Sequence, residues 1–466
     1  MAEMKVRIGF IPAHRELFDE EWAKDLRKRT LSVLCQIKNL EIIVPDEQLT
    51  KGGLVRDDED AEKVIGLFKE RDIAGMIIGT LTFGDEVSVI SIAEVFPNCP
   101  ILLFGTKEGP FTPEGGRRSD AFCGTLSISS GLRKRRIPFV FGGICFPEEE
   151  VFRRRIETFI KTCAIVEGFR GSRIGLVGPR PERFETCAFN EVAMMKAFRQ
   201  RVVHISLTDV LTTASNLGDE DPRVQEILQR MKKQADTTNV KEESLRKIAK
   251  LELALRKFAE DKKLAGIGVQ CWDEMERVYG VVPCFVMGRL TDQGIMMACE
   301  VDIYGALTML IQYLASLNSS SPHFIDWTIQ HQEKENVFLA WHCGNAPPSL
   351  ALEGCPIQMR STLLEKVLGP ELCKGTGEFQ LKAGPVTICR LDYDEKFKLL
   401  ITKGQIETYA EELRGSWSWV KVRDLLSLYE SLIDEGFIHH ASLIHGDYVE
   451  AIADACKFLN IEAVIV

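Results

Sequence analysis

Glu300 and Asp326 are carboxylates placed where apolar runs end, the kind of position at which a folded chain builds a divalent-cation site. Glu300 lies in MMACEVDIYGALTMLIQYLA, between an apolar strand-like run and an apolar helix, with Asp302 beside it. Asp326 lies in FIDW, and His342 ends VFLAWH. Six of the eight histidines fall in the last third of the chain: His323, His331, His342, His439, His440 and His445. Two carboxylates with one or two imidazoles suit a hard-to-borderline ion such as Mn²⁺ or Mg²⁺ and do not suggest a thiolate site.

Each residue also has a plainer explanation. An acid at a helix start is often only a cap or a partner of the helix dipole, and Asp302, nearer the expected first turn, is the better cap. Asp326 between Ile325 and Trp327 is costly unless it is paired, hydrogen-bonded or metal-bound. It follows Glu300 by 26 residues, one helix plus a loop, which would return both acids to the same sheet edge. A histidine on an apolar strand is usually a satisfied core residue, but two acids precede His342 on expected neighbouring strands. His439 and His440 are adjacent, and adjacent strand residues point to opposite faces, so at most one of them should face a common site.

The elements that must position these groups follow from periodicity. The first ~170 residues alternate apolar runs (KVRIGFIP, LEIIVPD, AGMIIGTL, CPILLFG) with helical patterns, which indicates a parallel sheet with crossover helices. A second α/β unit starts near 171 with GSRIGLVGPRP, and the charged stretch 221–263 has the apolar spacing of one or two long helices. From about 356, GEFQLKAGPVTICRLDYDEKFKLLITKGQIE alternates apolar and polar residues as antiparallel strands do. The fold class expected is α/β: two Rossmann-like parallel-sheet domains, 1–170 and 171–355, then a β-rich, antiparallel barrel-like domain, 356–466, with a closing helix and strand.

Composition narrows the function. The 466 residues carry a net charge of -10, which argues against nucleic acid or an anionic membrane as partner. No apolar stretch is long enough to span a bilayer, and MAEMKVRIGFIPAH has no signal-peptide layout. The fourteen cysteines contain no C-x-x-C and read as reduced thiols, so a cytoplasmic protein is expected. GSRIGLVG is not the dinucleotide fingerprint, RKRR and RRR fit solvated helix faces, and no G-x-S-x-G or P-loop motif occurs.

At its acids and histidines the chain resembles the L-fucose isomerase and L-arabinose isomerase superfamily. ACEVDIYGALTMLI is similar to the segment that opens on a metal-binding glutamate, FIDW to the strand with a metal-binding aspartate, and HHASLIHGDYVEAIADACKFLNIEAV to the C-terminal segment with a histidine ligand. The resemblance implies Glu300, Asp326 and His440 as metal ligands. His342 stands where arabinose isomerases place a further histidine, as a fourth ligand or a hydrogen-bond donor to the sugar. IIGTLTFGDEV and GLVGPRPERFETCAFN look like loops that approach the sugar.

What the resemblance implies is a metal-dependent aldose–ketose isomerase working through an enediol on an open-chain sugar. Glu300 and Asp326 would be the acid/base pair, with Mn²⁺ or another divalent cation such as Mg²⁺ or Co²⁺. Gln270, Trp272 and Asp273 are candidate sugar contacts. Family members share pockets between subunits, so a homo-oligomer (trimer or hexamer) is expected, with His14 and Arg15 reaching a neighbour's sugar. Two alternatives stand beside this: an isomerase of an anionic, sulfonated or phosphorylated sugar, read by Arg15, Arg289 and Arg360, and a non-catalytic sugar-binding protein.

Overall fold

The apolar runs of the first 170 residues become five parallel strands. These are β1 (Val6–Ala13), β2 (Leu40–Ile43), β3 (Gly75–Thr80), β4 (Ile101–Gly105) and β5 (Val140–Ile144), in the order β2-β1-β3-β4-β5. β3 and β4 are buried along their whole length because helices cover both faces of such a sheet, which is why they read as continuous apolar runs. Asp19, Asp57 and Asp85 cap the helices Glu20–Leu34, Asp58–Arg71 and Glu86–Val95 by accepting from their first-turn amides. The computed structural model describes residues 4–466, so the first three residues of the N-terminal segment read above lie outside it.

By contact the chain divides into two units, Met1–Glu167 with Glu450–Asn460, and Gly168–Val449 with Ile461–Val466. The helix Val449–Leu459 therefore packs largely with the first unit, where Thr162 Oγ1 donates to Ala451 O at 3.1 Å and Arg155 pairs with Glu450.

The second unit holds two sheets. A parallel sheet contains β6 (Arg173–Val177), β7 (Arg201–Ile205), β9 (Gly266–Val269) and β10 (Met296–Ala298) in the order β10-β9-β6-β7; the short β8 (Ala235–Asp236) pairs elsewhere. The charged stretch forms two helices, Pro222–Gln234 and Glu242–Lys262. The other sheet has ten strands: β8, β11 (His323–Gln330), β12 (Val337–His342), β13 (Ile357–Ser361), β14 (Lys374–Gln380), β15 (Gly384–Asp394), β16 (Lys396–Glu407), β17 (Ser416–Val422), β18 (His440–His445) and β19 (Glu462–Ile465). Within it β16-β15-β18-β11-β12-β17 are antiparallel neighbours, and a further antiparallel pairing of β16 with β17 closes these six into a barrel.

One expectation needs correcting. Asp326 and His342 do not return to the edge of the parallel sheet that leads to Glu300; β11 and β12 are barrel strands. The physical reason is the helix between them. Ile303–Ala315 is buried at every position, so it cannot lie on a sheet with one side in water; it packs against β9 and β10 and against β15 and β18. Its one strongly polar side chain toward the barrel, Gln312, donates to Thr387 O (3.0 Å) and Ser442 O (2.9 Å).

The helix Cys284–Asp292 packs so closely on the segment after β12 that a Cβ at Gly288 would overlap the Ala346 carbonyl oxygen. Backbone cannot swing aside as a side chain does. Gly288→Ala is therefore expected to lose about 1–3 kcal/mol in urea unfolding, whereas Gly66→Ala, in the helix Asp58–Arg71 with open space around it, is expected to gain about 0.5–1 kcal/mol.

Candidate functional site

β10 ends at Ala298, and the chain reaches the helix through Glu300 and Val301, both left-handed (φ 54° and 58°). A β-branched residue rarely adopts that conformation, and strain of this kind persists only where surrounding contacts enforce it. Here the Val301 amide donates to Val269 O (3.2 Å) and the Asp302 amide to Cys299 O (2.9 Å). Gly268 supplies the room, since a Cβ there would stand 3.1 Å from the Val301 backbone. The turn leaves Glu300 almost fully buried and puts Asp302 at the helix cap, where it accepts from the Gly305 amide at 2.8 Å.

The barrel brings the other groups. Asp326 on β11 and His440 on β18 are directly paired residues, so their side chains share one face. His440 Nε2 lies 2.7 Å from Glu300 Oε2 and 3.7 Å from Asp326 Oδ1. Its Nδ1 lies 2.9 Å from Asp302 Oδ2, and Cys187 Sγ stands 3.8 Å from the same nitrogen. Asp302 also pairs with the fully buried Arg390, which in turn lies 3.6 Å from Asp392.

These contacts set the charges. Burial pushes Asp302 up, but Arg390 and His440 outweigh it and hold the carboxyl well below its usual range. Burial would lower His440, yet Asp302, Cys187 and Glu300 hold it well above an ordinary histidine. Glu300 is drawn down by His440 against its own burial. Asp326 differs: burial raises it to about 6, with Glu300 adding to the rise and His342 and His440 opposing it.

Two carboxylate oxygens, Glu300 Oε2 and Asp326 Oδ1, are buried with no hydrogen-bond partner of acceptable geometry, although His440 Nε2 is close to both. Two carboxylate oxygens and an imidazole nitrogen that converge on one point suit a cation, which would take the place of the Nε2 proton. Asp302 on Nδ1 is the second partner that turns a histidine's other nitrogen into a ligand. The Asp302 carboxylate holds a proton on Nδ1, so Nε2 is the nitrogen that would give up its proton to a cation on the oxygen side. This oxygen-and-nitrogen set fits a divalent cation of the Mn²⁺ or Mg²⁺ type.

Glu300 and Asp326 open onto a cavity of about 360 Å³ that Trp272, Glu276, His342 and Cys343 also line. Trp272 Nε1 donates to Glu300 Oε1 at 3.2 Å. His342 Nδ1 accepts from the Cys343 amide at 2.9 Å. Burial lowers its basicity, but Cys343, Asp326 and Glu300 bring it up to about 9. Neutral with the amide on Nδ1, or charged, its Nε2 carries a hydrogen.

His439 departs from the alternation argument. It precedes the first residue of β18, its ring centroid lies 4.1 Å from that of His440, and Glu300, His439 and His440 offer ligand atoms within 4.8 Å of one another. The other sequence candidates are not among the residues that line this cavity. Gln270 is packed against Gly178, with Oε1 unpartnered. Asp273 begins the helix Glu274–Tyr279 and pairs with Arg277. Arg289 is buried against Glu252 at 2.6 Å, so its charge is spent on a helix–helix ion pair and the expectation of an anion contact there is corrected. Arg360 lines a separate cavity with Arg414 and Tyr409.

In the first unit, His14 is buried with Nδ1 2.9 Å from Thr82 Oγ1. Arg15 lies 3.6 Å from Asp85 and over the Phe83 ring. Sequence reasoning missed Arg390, Cys187 and Glu276. Arg390 alone carried a signal: a single arginine inside the apolar run VTICRL.

Between the ordinary aspartate range and pH 6 the native chain holds a proton on Asp326 that the unfolded chain has released, so this group lowers stability as pH rises through that window. Asp326→Asn removes the effect. In the presence of chelator the variant is expected to exceed the wild type by about 1–3 kcal/mol at pH 7 in urea unfolding, the difference shrinking as pH falls toward about 4.

Two family models match the chain: the fucose/sulfoquinovose isomerase N-terminal domain over residues 9–170 and the L-fucose isomerase C-terminal domain over 340–466. Among curated proteins, the sulfoquinovose isomerase of Priestia aryabhattai is 26% identical over 97% of this chain and 97% of its own length. That of Alkalicoccus urumqiensis is 26% identical over 98% of each, and that of Clostridium sp. (strain MSTE9) 26% identical over 83% of this chain and 85% of its own. No helix among the described residues is long and apolar enough to cross a membrane. Together the two models cover more than half of the chain and the relatives span the acids between them, so this chain belongs to the fucose isomerase-like family and is a sugar isomerase, an intramolecular oxidoreductase.

Proposed function

We propose that the chain is a metal-dependent aldose–ketose isomerase of a sulfonated aldose of the sulfoquinovose class. The substrate reading rests on one observation: relatives over nearly the whole length of the chain carry that activity in their names. The neutral-sugar reading drawn from the sequence takes second place to it.

Glu300, Asp326 and His440 would hold the ion. A bound Mn²⁺, Mg²⁺ or Co²⁺ would polarise the oxygens on C1 and C2 of the open-chain sugar and make the C2 proton more acidic. The remaining work belongs to side chains. A carboxylate of the Glu300–Asp326 pair takes the proton from C2 and returns it to C1, and the O2 proton passes to O1. An aldehyde becomes a ketone within one molecule, with no outside oxidant or reductant. Asp302 and Arg390 keep His440 in one tautomer and orientation. His342, with a hydrogen on Nε2, serves as a donor to a sugar oxygen. Trp272 holds Glu300 in place through its indole N–H. The same proposal includes a cytoplasmic homo-oligomer with a pocket shared between copies, in which Arg15 and His14 serve a neighbour's sugar.

Assays with sulfoquinovose and with neutral aldoses, each with and without added Mn²⁺ after chelation, test this reading. Turnover of the sulfonated sugar that disappears on chelation and returns with metal is expected; turnover that survives exhaustive chelation would overturn the metal requirement, and preference for a neutral aldose the substrate. Glu300→Gln is expected to lose about 10²–10⁴-fold in kcat. Asp302→Asn, which removes the carboxylate behind His440, is expected to weaken the apparent metal affinity about 10–100-fold, read as the Mn²⁺ concentration giving half-maximal rate.

A further inference from the structure

Glu276 is the third acid in the wall of the cavity, and nothing above uses it. It lies on the six-residue helix Glu274–Tyr279, whose preceding residue, Asp273, has a left-handed backbone (φ 40°). The residue is 1% exposed, and neither Oε1 nor Oε2 has a hydrogen-bond partner. A buried carboxyl without partners costs several-fold more than a satisfied one. Its neighbours offer little relief. Its own backbone amide, Asp273 and Arg277 act on it from its own segment, and the sulfurs of Cys284, Cys343 and Cys373 from the elements packed around it. Burial pushes the carboxyl up to about 7, so at neutral pH about half of it is the neutral acid, and more below.

A neutral carboxyl has one O–H to give and a carbonyl oxygen to receive, and a sugar hydroxyl has the same pair of capacities. We propose that Glu276 is a specificity-determining residue that binds a chain hydroxyl of the sugar, away from the two reacting carbons. The placement away from C1 and C2 follows from geometry: Glu276 lines the same cavity but stands outside the cluster in which His440 meets Glu300, Asp302 and Asp326. The hydrogen-bonding capacity that the protein leaves unmet at Glu276 Oε1 and Oε2 is then what the sugar hydroxyl meets.

This inference rests on the isomerase reading, and its test separates the two. Glu276→Leu removes an unsatisfied buried polar group, so it should unfold at or above the wild-type temperature while KM for sulfoquinovose rises about tenfold and kcat changes little. A purely structural carboxyl would give the opposite: lower stability and unchanged KM. Glu276→Gln keeps a donor and an acceptor but cannot ionise. Wild-type KM should rise above pH 7 as the acid loses its proton, and the Glu276→Gln KM should stay flat. An unchanged KM in Glu276→Leu overturns the proposal; should that variant not fold, a Glu276→Gln KM that follows the wild-type pH dependence overturns it. If the wild type turns over neither sulfonated nor neutral aldoses, the isomerase reading fails first. Quenching of tryptophan fluorescence by an unreactive hexitol then tests Glu276 alone. Binding weakened about tenfold in Glu276→Leu supports the inference, equal binding overturns it, and no binding by the wild type overturns both.

Discussion

The contact on which the rest of the site depends is the one between Asp302 and His440, 2.9 Å apart and both almost fully buried. A carboxylate in such a place is stable only with compensating charge, and Arg390 supplies it from β15. One carboxyl thus performs three tasks: it caps the helix Ile303–Ala315, neutralises a buried guanidinium, and holds a proton on Nδ1 of His440. Remove any of these and the imidazole loses the fixed orientation that aims Nε2 at Glu300 and Asp326. The strained turn at Glu300 and Val301 belongs to the same arrangement, since it alone lets the acid and the cap two residues later serve one histidine from different sides.

Which residues meet in the site was more legible in the sequence than how they meet. Glu300 and Asp326 stood out because a charged side chain at the end of an apolar run is expensive, and Asp302 read correctly as a cap. Parallel sheets in both units and an antiparallel closing architecture followed from periodicity. What could not be read was the sheet to which Asp326 belongs. FIDW has the same local pattern in a parallel or an antiparallel strand, and only the burial of the preceding helix on every side decides between them. Arg390 and Cys187 were hidden for a related reason: both meet the site through pairings between strands and loops far apart in the chain. Glu276 sits in a charged segment, DEMER, where three acids look alike until burial separates one from the others.

The two buried histidine clusters show how the barrel sorts similar residues. His323 lies against Asn345 and Ser416, neutral partners, and burial lowers it to about 3. His440, on the adjacent strand, meets two carboxylates and is driven the other way. The same residue type in the same sheet becomes inert scaffold or a functional group according to what faces it, which is why counting histidines in the last third overstated the site.

β18 lies between β15 and β11 although it follows both by tens of residues. Until it inserts, the barrel is an open ribbon with two bare edges, and Glu300 has no imidazole opposite it. During synthesis the acids at 300 and 326 therefore leave the ribosome long before the histidine that completes them. The nascent chain passes through a stage with exposed strand edges, which favour pairing with other chains, and with buried-to-be carboxylates still in water. Closure of the barrel and completion of the site are one event, timed by the arrival of residues 440–445.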